Sequence, residues 1–245
     1  MTPLKIPRGP SAGDILEIKW TFPVYGSIAT EEVDFGRTVA KKKRVALPAD
    51  DAFKFLAGDD PRPLLVLREC LVCSGTDDAL LSAEPDNEKT MLISRWFNCV
   101  KLPVDVLKAE HPFHNLFDPK DPPHLFVAAA DGSWIHPLET ERSRTELWDV
   151  LTKALDEAYD GSATRALKTM ASLLNKYDLL DTKAAGLENE IEDLLETHGP
   201  KSSKLKKVRK KLDKVQRERE ALDEKMRDAS QLKLKPVDEE AQATR

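Results

Sequence analysis

A chain of 245 residues, 40% hydrophobic and 33% charged, is long enough to bury a full core, so one or two domains plus an extension are expected. Its net charge of −5, from 38 bases and 43 acids, argues against a generally basic protein that coats nucleic acid. No apolar run approaches the roughly 18 residues of a membrane span, the start MTPLKIPRGPSAGD lacks the apolar stretch of a secretory signal, and three cysteines do not make a disulfide framework, so a cytoplasmic protein is expected, its cysteines thiols unless they bind metal or cycle.

Residues 1–45 read as an N-terminal extension containing β structure, with ILEIKWTF (15–22) as a strand. PADDAFKFLAG (48–58) predicts a short helix closed by Gly58, and PLLVL (63–67) a buried strand. After the pair Cys70-Leu71-Val72-Cys73, Thr76 or Asp77 can cap a helix that Pro85 interrupts. Leu92, Ile93, Trp96 and Phe97 predict its resumption before a strand at CVKL (99–102), which places Cys99 toward the core. A strand at His124 to Ala129, the turn Asp131-Gly132 and a second strand ending near Pro137 form a β-hairpin. Ser143-Arg144-Thr145-Glu146 is a capping box for a helix with Leu147, Val150, Leu151, Ala154 and Leu155 on one face.

The order is βαβ followed by ββα, and over residues 45–158 the chain resembles the thioredoxin-like superfamily. A buried strand, Leu64 to Leu67, leads into a cysteine-bearing turn at a helix start, Pro123 precedes the next hairpin, and a closing helix follows. The Trp-Cys-Gly-Pro-Cys signature of catalytic members is missing. The resemblance implies an α/β, three-layer domain over 46–160, a cis-proline at Pro123 facing the cysteines, and a nucleophilic thiol at a helix N-terminus, where free N–H groups and the helix dipole favour thiolate.

The resemblance implies about nine residues from the strand start to the first helical turn, and counted from Leu64 this favours Cys73, in Cys73-Ser74-Gly75-Thr76, as the first cysteine. In the other register Cys70 is the nucleophile and Cys73 resolves it. Glu69, Asp77 and Asp78 crowd the thiols with negative charge, Leu67 stands where catalytic members carry a buried acid, and Arg68 should face away from Glu69. Three readings remain open: semi-buried structural thiols, a thiol redox site at Cys70 and Cys73, or a zinc site completed by His111 and His114. His124, beside Pro123, either approaches the cysteines or is a plain strand histidine. No nucleotide-binding or hydrolase motif is present, and no cofactor or metal is assigned.

The C-terminal third carries the clearest pattern. Met170, Leu173, Tyr177, Leu180, Ala184, Leu187, Ile191 and Leu194 alternate spacings of three and four, as do Leu205, Val208, Leu212, Val215, Arg219, Leu222, Met226 and Ala229. HGPKSS between them supplies Gly199 as a stop, Pro200 as a breaker and Ser202 or Ser203 as a cap. The two seams mirror each other about Gly199-Pro200, which predicts an antiparallel coiled-coil hairpin over 161–232 with its turn at 198–202. Leu194 then falls beside Leu205, Leu187 beside Leu212 and Tyr177 beside Leu222; about 25 residues per arm span roughly 35 to 40 Å. Arg219, opposite Leu180, is the flaw in the seam, marking an opening or a second chain's contact.

Residues 178–196 are acidic and 201–217 basic, so the arms are expected to pair charges across the seam. The competing reading is a polyanion-binding face through Lys201, Lys204, Lys206, Lys207, Lys210 and Lys211, without aromatic residues to stack on bases. The polar faces lack the aromatic anchors of membrane-surface helices. The expectation is a protein-interaction or assembly module working through the hairpin, by partner capture or self-association, with Lys204, Lys207 and Lys211 at the contact, no membrane and no nucleic acid. A thiol–disulfide oxidoreductase using Cys70 and Cys73 is the alternative, and 233–245 should be a flexible tail.

Overall fold

The structure, a computed structural model, describes residues 8–25, 28–34, 37–70, 80–82, 86–117, 120, 122–138 and 143–236. Its elements in chain order are α1 (Pro10–Ile15), β1 (Trp20–Thr21), β2 (Ile28–Asp34), β3 (Arg37–Lys43), α2 (Ala49–Ala57), β4 (Leu64–Arg68), α3 (Glu88–Ser94) and β5 (Asn98–Leu102). Two 3₁₀ turns, Val104–Leu107 and His114–Leu116, precede β6 (Leu125–Ala128), β7 (Ile135–Leu138), α4 (Arg144–Ala158), β8 (Tyr159–Asp160), α5 (Ala163–His198), α6 (Ser203–Ser230) and β9 (Lys233–Leu234). The chain divides into two compact units, one from the described residues within 18–82, 93–161 and 233–245, the other from those within 1–17, 83–92 and 162–232.

The first unit is built on a mixed five-stranded sheet of order β1-β5-β4-β6-β7. β1, β5 and β4 run parallel, whereas β6 is antiparallel to β4 and β7 to β6. Every residue of β4 and β6 is buried, as the unbroken apolar runs LLVL and LFVA require of strands covered on both faces. Successive side chains alternate between faces. Leu64, Val66, Val100, Leu102, Phe126 and Ala128 join Ala52, Phe53 and Leu56 of α2 in one core. The opposite row, including Leu65 and Val127, is also buried, as are Leu147, Leu151, Ala154 and Leu155 of α4, which packs on β6 and β7. The mixed α/β expectation therefore holds.

Local chemistry explains the boundaries. Ser143 Oγ accepts from the Glu146 N–H at 3.3 Å and Glu146 Oε2 accepts from the Ser143 N–H at 2.7 Å, the two halves of the capping box that starts α4. Pro137 is tolerated in β7 because this is an edge strand. The strand expected over 15–22 shrinks to Trp20–Thr21, since Ile15 ends a helix that Pro10 opens and Pro23 has no N–H to extend the ladder. β2 and β3 form a separate antiparallel hairpin from Ile28↔Lys43 to Asp34↔Arg37. Lys233 and Leu234, expected to begin a tail, pair with Asp160 and Tyr159 as a small ladder, and residues 237–245 fall outside the description.

The second unit is an antiparallel pair of long helices, α5 of 36 residues and α6 of 28, with α1 packed on α5. Ser162 caps α5, and Gly199 ends it at φ +69°, backbone that an L side chain rarely adopts. Met170, Leu173, Tyr177, Leu180 and Ala184 are buried, as are Leu205, Val208, Val215, Leu222 and Met226, while Leu187, Ile191, Leu194, Leu212 and Ala229 are half-buried. Two polar bonds fix the register where the mirrored seams place it. Tyr177 OH donates to Asp223 Oδ1 at 2.6 Å, and Arg219 Nη2 donates to Asp181 Oδ1.

Candidate functional site

The thiol end of the sheet is reached through β4. Beyond Arg68, the Glu69 N–H still donates to the Leu102 carbonyl at 2.9 Å, so Cys70 directly follows the last ladder residue. Arg68 and Glu69 diverge as an extended chain demands. The buried Arg68 guanidinium donates to the Pro122 carbonyl at 3.2 Å and the Pro123 carbonyl at 3.4 Å, whereas Glu69 accepts from Lys101 at 3.2 Å. Cys70 is disulfide-bonded. Cys73, the register-favoured nucleophile, lies within 71–79, outside the described residues, together with the expected caps Thr76 and Asp77.

The cis-proline expected at Pro123 is not found, for no described peptide bond is cis. The peptide bond before Pro123 is trans, and just beyond it the Arg68 N–H donates to the His124 carbonyl at 2.8 Å, extending the β4–β6 pairing one residue beyond Leu67↔Leu125. His124 itself is buried.

Cys99 is a free core thiol at 4% exposure. Its S–H donates toward the Ser94 carbonyl at 3.6 Å, and burial pushes its pKa up to about 12, with Arg62 opposing and Asp60 reinforcing the shift. His111 is not poised as a ligand through Nδ1, which accepts the Phe113 N–H at 3.2 Å. Among the described residues no group of His, Cys, Asp and Glu is arranged to hold a metal ion.

On the hairpin, Lys204, Lys207 and Lys211 are exposed. The expected pairing of the acidic and basic arms is corrected. Among the described residues neither these lysines nor Glu188, Glu190, Glu192, Asp193 and Glu196 form any salt bridge across the seam. Exposed pairs gain at most about 1 kcal/mol and lose side-chain entropy, so both flanks stay solvated. No described helix is long and apolar enough to cross a membrane.

Sequence reasoning missed the polar clamp at the foot of the hairpin. Arg8 donates to Glu88 at 2.6 Å and Asp178 at 2.6 Å, Asp178 accepts from the Gly9 N–H at 2.8 Å, and Asp181 accepts from Arg219 and from the Ser11 N–H and hydroxyl at 2.9 and 2.8 Å. The signal was Arg219 in the seam, which calls for a carboxylate nearby. An added Cβ on Gly9 would lie 2.6 Å from Asp181 Oδ2, so the clamp needs glycine there.

The chain matches no protein-family model, no curated protein and no solved structure.

Proposed function

We propose that the chain is an assembly module whose α5–α6 hairpin docks a second copy of itself, the acidic flank of one α5 against the basic flank of the other α6. The observation that carries this reading is the segregation of exposed charge. Glu188 to Glu196 on one arm and Lys204, Lys207 and Lys211 on the other are complementary, and neither set is neutralised within the described chain. Such flanks set partner choice and orientation between coiled-coil surfaces, and two copies related by a twofold axis satisfy both at once. Sedimentation equilibrium tests it. The chain should dimerise at low salt, dissociate toward about 0.5 M salt as screening shortens, and lose association in the triple variant K204E/K207E/K211E. A chain that is monomeric at every concentration and salt sinks the reading.

Cys70 favours a second reading, thiol–disulfide exchange in a thioredoxin-like unit. The parallel βαβ half and antiparallel ββα half of the sheet support that family, and a disulfide-bonded cysteine directly follows a buried parallel strand. The trans Pro123 and the acid beside Cys70 weigh against it. In exchange, a client dithiol gives up two protons and two electrons to form its own disulfide while the Cys70 disulfide opens to two thiols. A reduction potential measured against glutathione, with a Cys70→Ser control, tests it; no reversible intramolecular disulfide overturns it.

A further inference from the structure

Beyond the carboxyl ends of β1, β4 and β5 lies a pocket of about 320 Å³, at the small end of the range for ligand cavities. Its position follows from the fold, because open α/β sheets present the turns that follow their parallel strands at this edge. Three prolines, Pro23, Pro103 and Pro112, stiffen those turns. The loop carrying Pro112 is pinned further, since its carbonyl accepts the Leu47 N–H at 2.9 Å and Asn115 Nδ2 donates to the Leu47 carbonyl at 2.6 Å.

One wall is aromatic. Tyr25 meets Phe113 with ring centroids 6.5 Å apart, Phe113 meets His111 at 5.6 Å, and Phe22 remains 63% exposed beside them. The other wall is charged, with Lys101 on Glu69 at 3.2 Å and Arg44 on Asp105 at 3.3 Å. The lining charges therefore cancel, and each cation keeps N–H groups that its single partner does not use.

His111 decides which ligand suits the pocket. It is only 5% exposed, and because Nδ1 accepts the Phe113 N–H, the neutral ring carries its proton on Nε2. Asp105 Oδ1 stands 3.8 Å from that nitrogen, beyond hydrogen-bond reach, and Nε2 is not an enclosed atom, so its N–H is open to the pocket that the ring lines. A donor facing the pocket is matched by a ligand oxygen and not by an ammonium, which has no lone pair to offer.

We propose that this pocket binds a small organic carboxylate with an aromatic or aliphatic body, its head on His111 Nε2–H, Lys101 and Arg44 and its body against Phe22, Tyr25 and Phe113. The proposal does not depend on the hairpin and leaves the assembly reading untouched.

The test uses the full chain with histidine-selective isotope labelling and three probes of one shape: phenylacetate, phenylacetamide and phenethylamine. Phenylacetate at millimolar concentration should bind saturably and move the His111 ring resonances, at least about tenfold tighter than the amine, a difference of about 1.4 kcal/mol. Arg44→Gln, at a half-exposed position that should not disturb folding, should weaken phenylacetate about tenfold and leave the amide nearly unchanged. Equal binding of all three probes, preference for the amine, absence of a saturable shift, or phenylacetate binding indifferent to Arg44→Gln would each overturn the assignment.

Discussion

Arg219 of α6 donates to the carboxylate of Asp181 on α5, and that same carboxylate accepts two further bonds from Ser11. The residue that breaks the apolar seam thus joins both arms to the N-terminal segment. Burial pushes the Asp181 carboxyl up, but the bonds from Ser11 and Arg219 outweigh it and hold the carboxyl below the usual carboxylate range. Asp181→Ala should cost about 1 to 3 kcal/mol, because the half-buried Arg219 and Ser11 lose their acceptor. D181L/R219L should recover part of that, because the arms gain apolar contact while Ser11 stays unpaired. The sign with pH follows from the depressed pKa. Stability from Asp181 is present above about pH 4 and fades as pH falls through the folded value, so the Asp181→Asn variant should show a shallower acid limb in urea titrations.

Gly9 and Gly13 make a matched pair. A Cβ at Gly9 meets Asp181 Oδ2 at 2.6 Å, whereas at Gly13 it meets nothing within 4 Å. Gly9→Ala should lower stability by about 1 to 3 kcal/mol through forced displacement of the clamp. Gly13→Ala, inside α1, should be neutral or stabilise by up to about 1 kcal/mol. Thermal melts of the two variants check the contrast; equal effects would mean that the clamp does not constrain Gly9.

Much of this architecture is legible because its signals are local and periodic. Ser143 and Glu146 sit three apart and cap α4 in the expected way, and the mirrored spacings place Tyr177 next to Asp223 and Leu180 next to Arg219 within a residue. What escapes the sequence is long-range polar pairing. Nothing near Arg8 indicates that it meets Glu88 and Asp178, which lie 80 and 170 positions away. β2 and β3 are legible only weakly, since Glu31, Glu32, Lys41 and Lys42 obscure the alternation that marks a strand. The pocket escapes for another reason: Tyr25, Lys101 and His111 converge only once β1 and β5 pair in register, a tertiary event without a spacing to read.

The cysteines should separate chemically. With burial raising its pKa to about 12, Cys99 holds only about one thiolate in ten thousand at pH 8, besides being enclosed by the core. Iodoacetamide on native protein should leave Cys99 unmodified by mass spectrometry for as long as the fold persists. Cys70 should label only after treatment with a reductant, because its sulfur is engaged in a disulfide. Labelling of Cys70 without reductant would refute the bonded state.

His111 should give the protein a distinct response near neutral pH. Burial lowers its pKa first and most; Asp105 and Glu110 pull the other way, while Arg44 and His114 push it further down. The unfolded chain therefore binds a proton at about pH 6.5 that the folded chain accepts only at lower pH. Between those two values the unfolded state holds more protons, so stability from His111 is full above about pH 6.5 and is lost as pH falls through the folded value. His111→Asn keeps an acceptor for the Phe113 N–H near the position of Nδ1 and does not titrate. Melting temperatures between about pH 7.5 and 5 should fall less steeply for that variant than for the wild type, and parallel profiles would show that folding does not shift the His111 pKa.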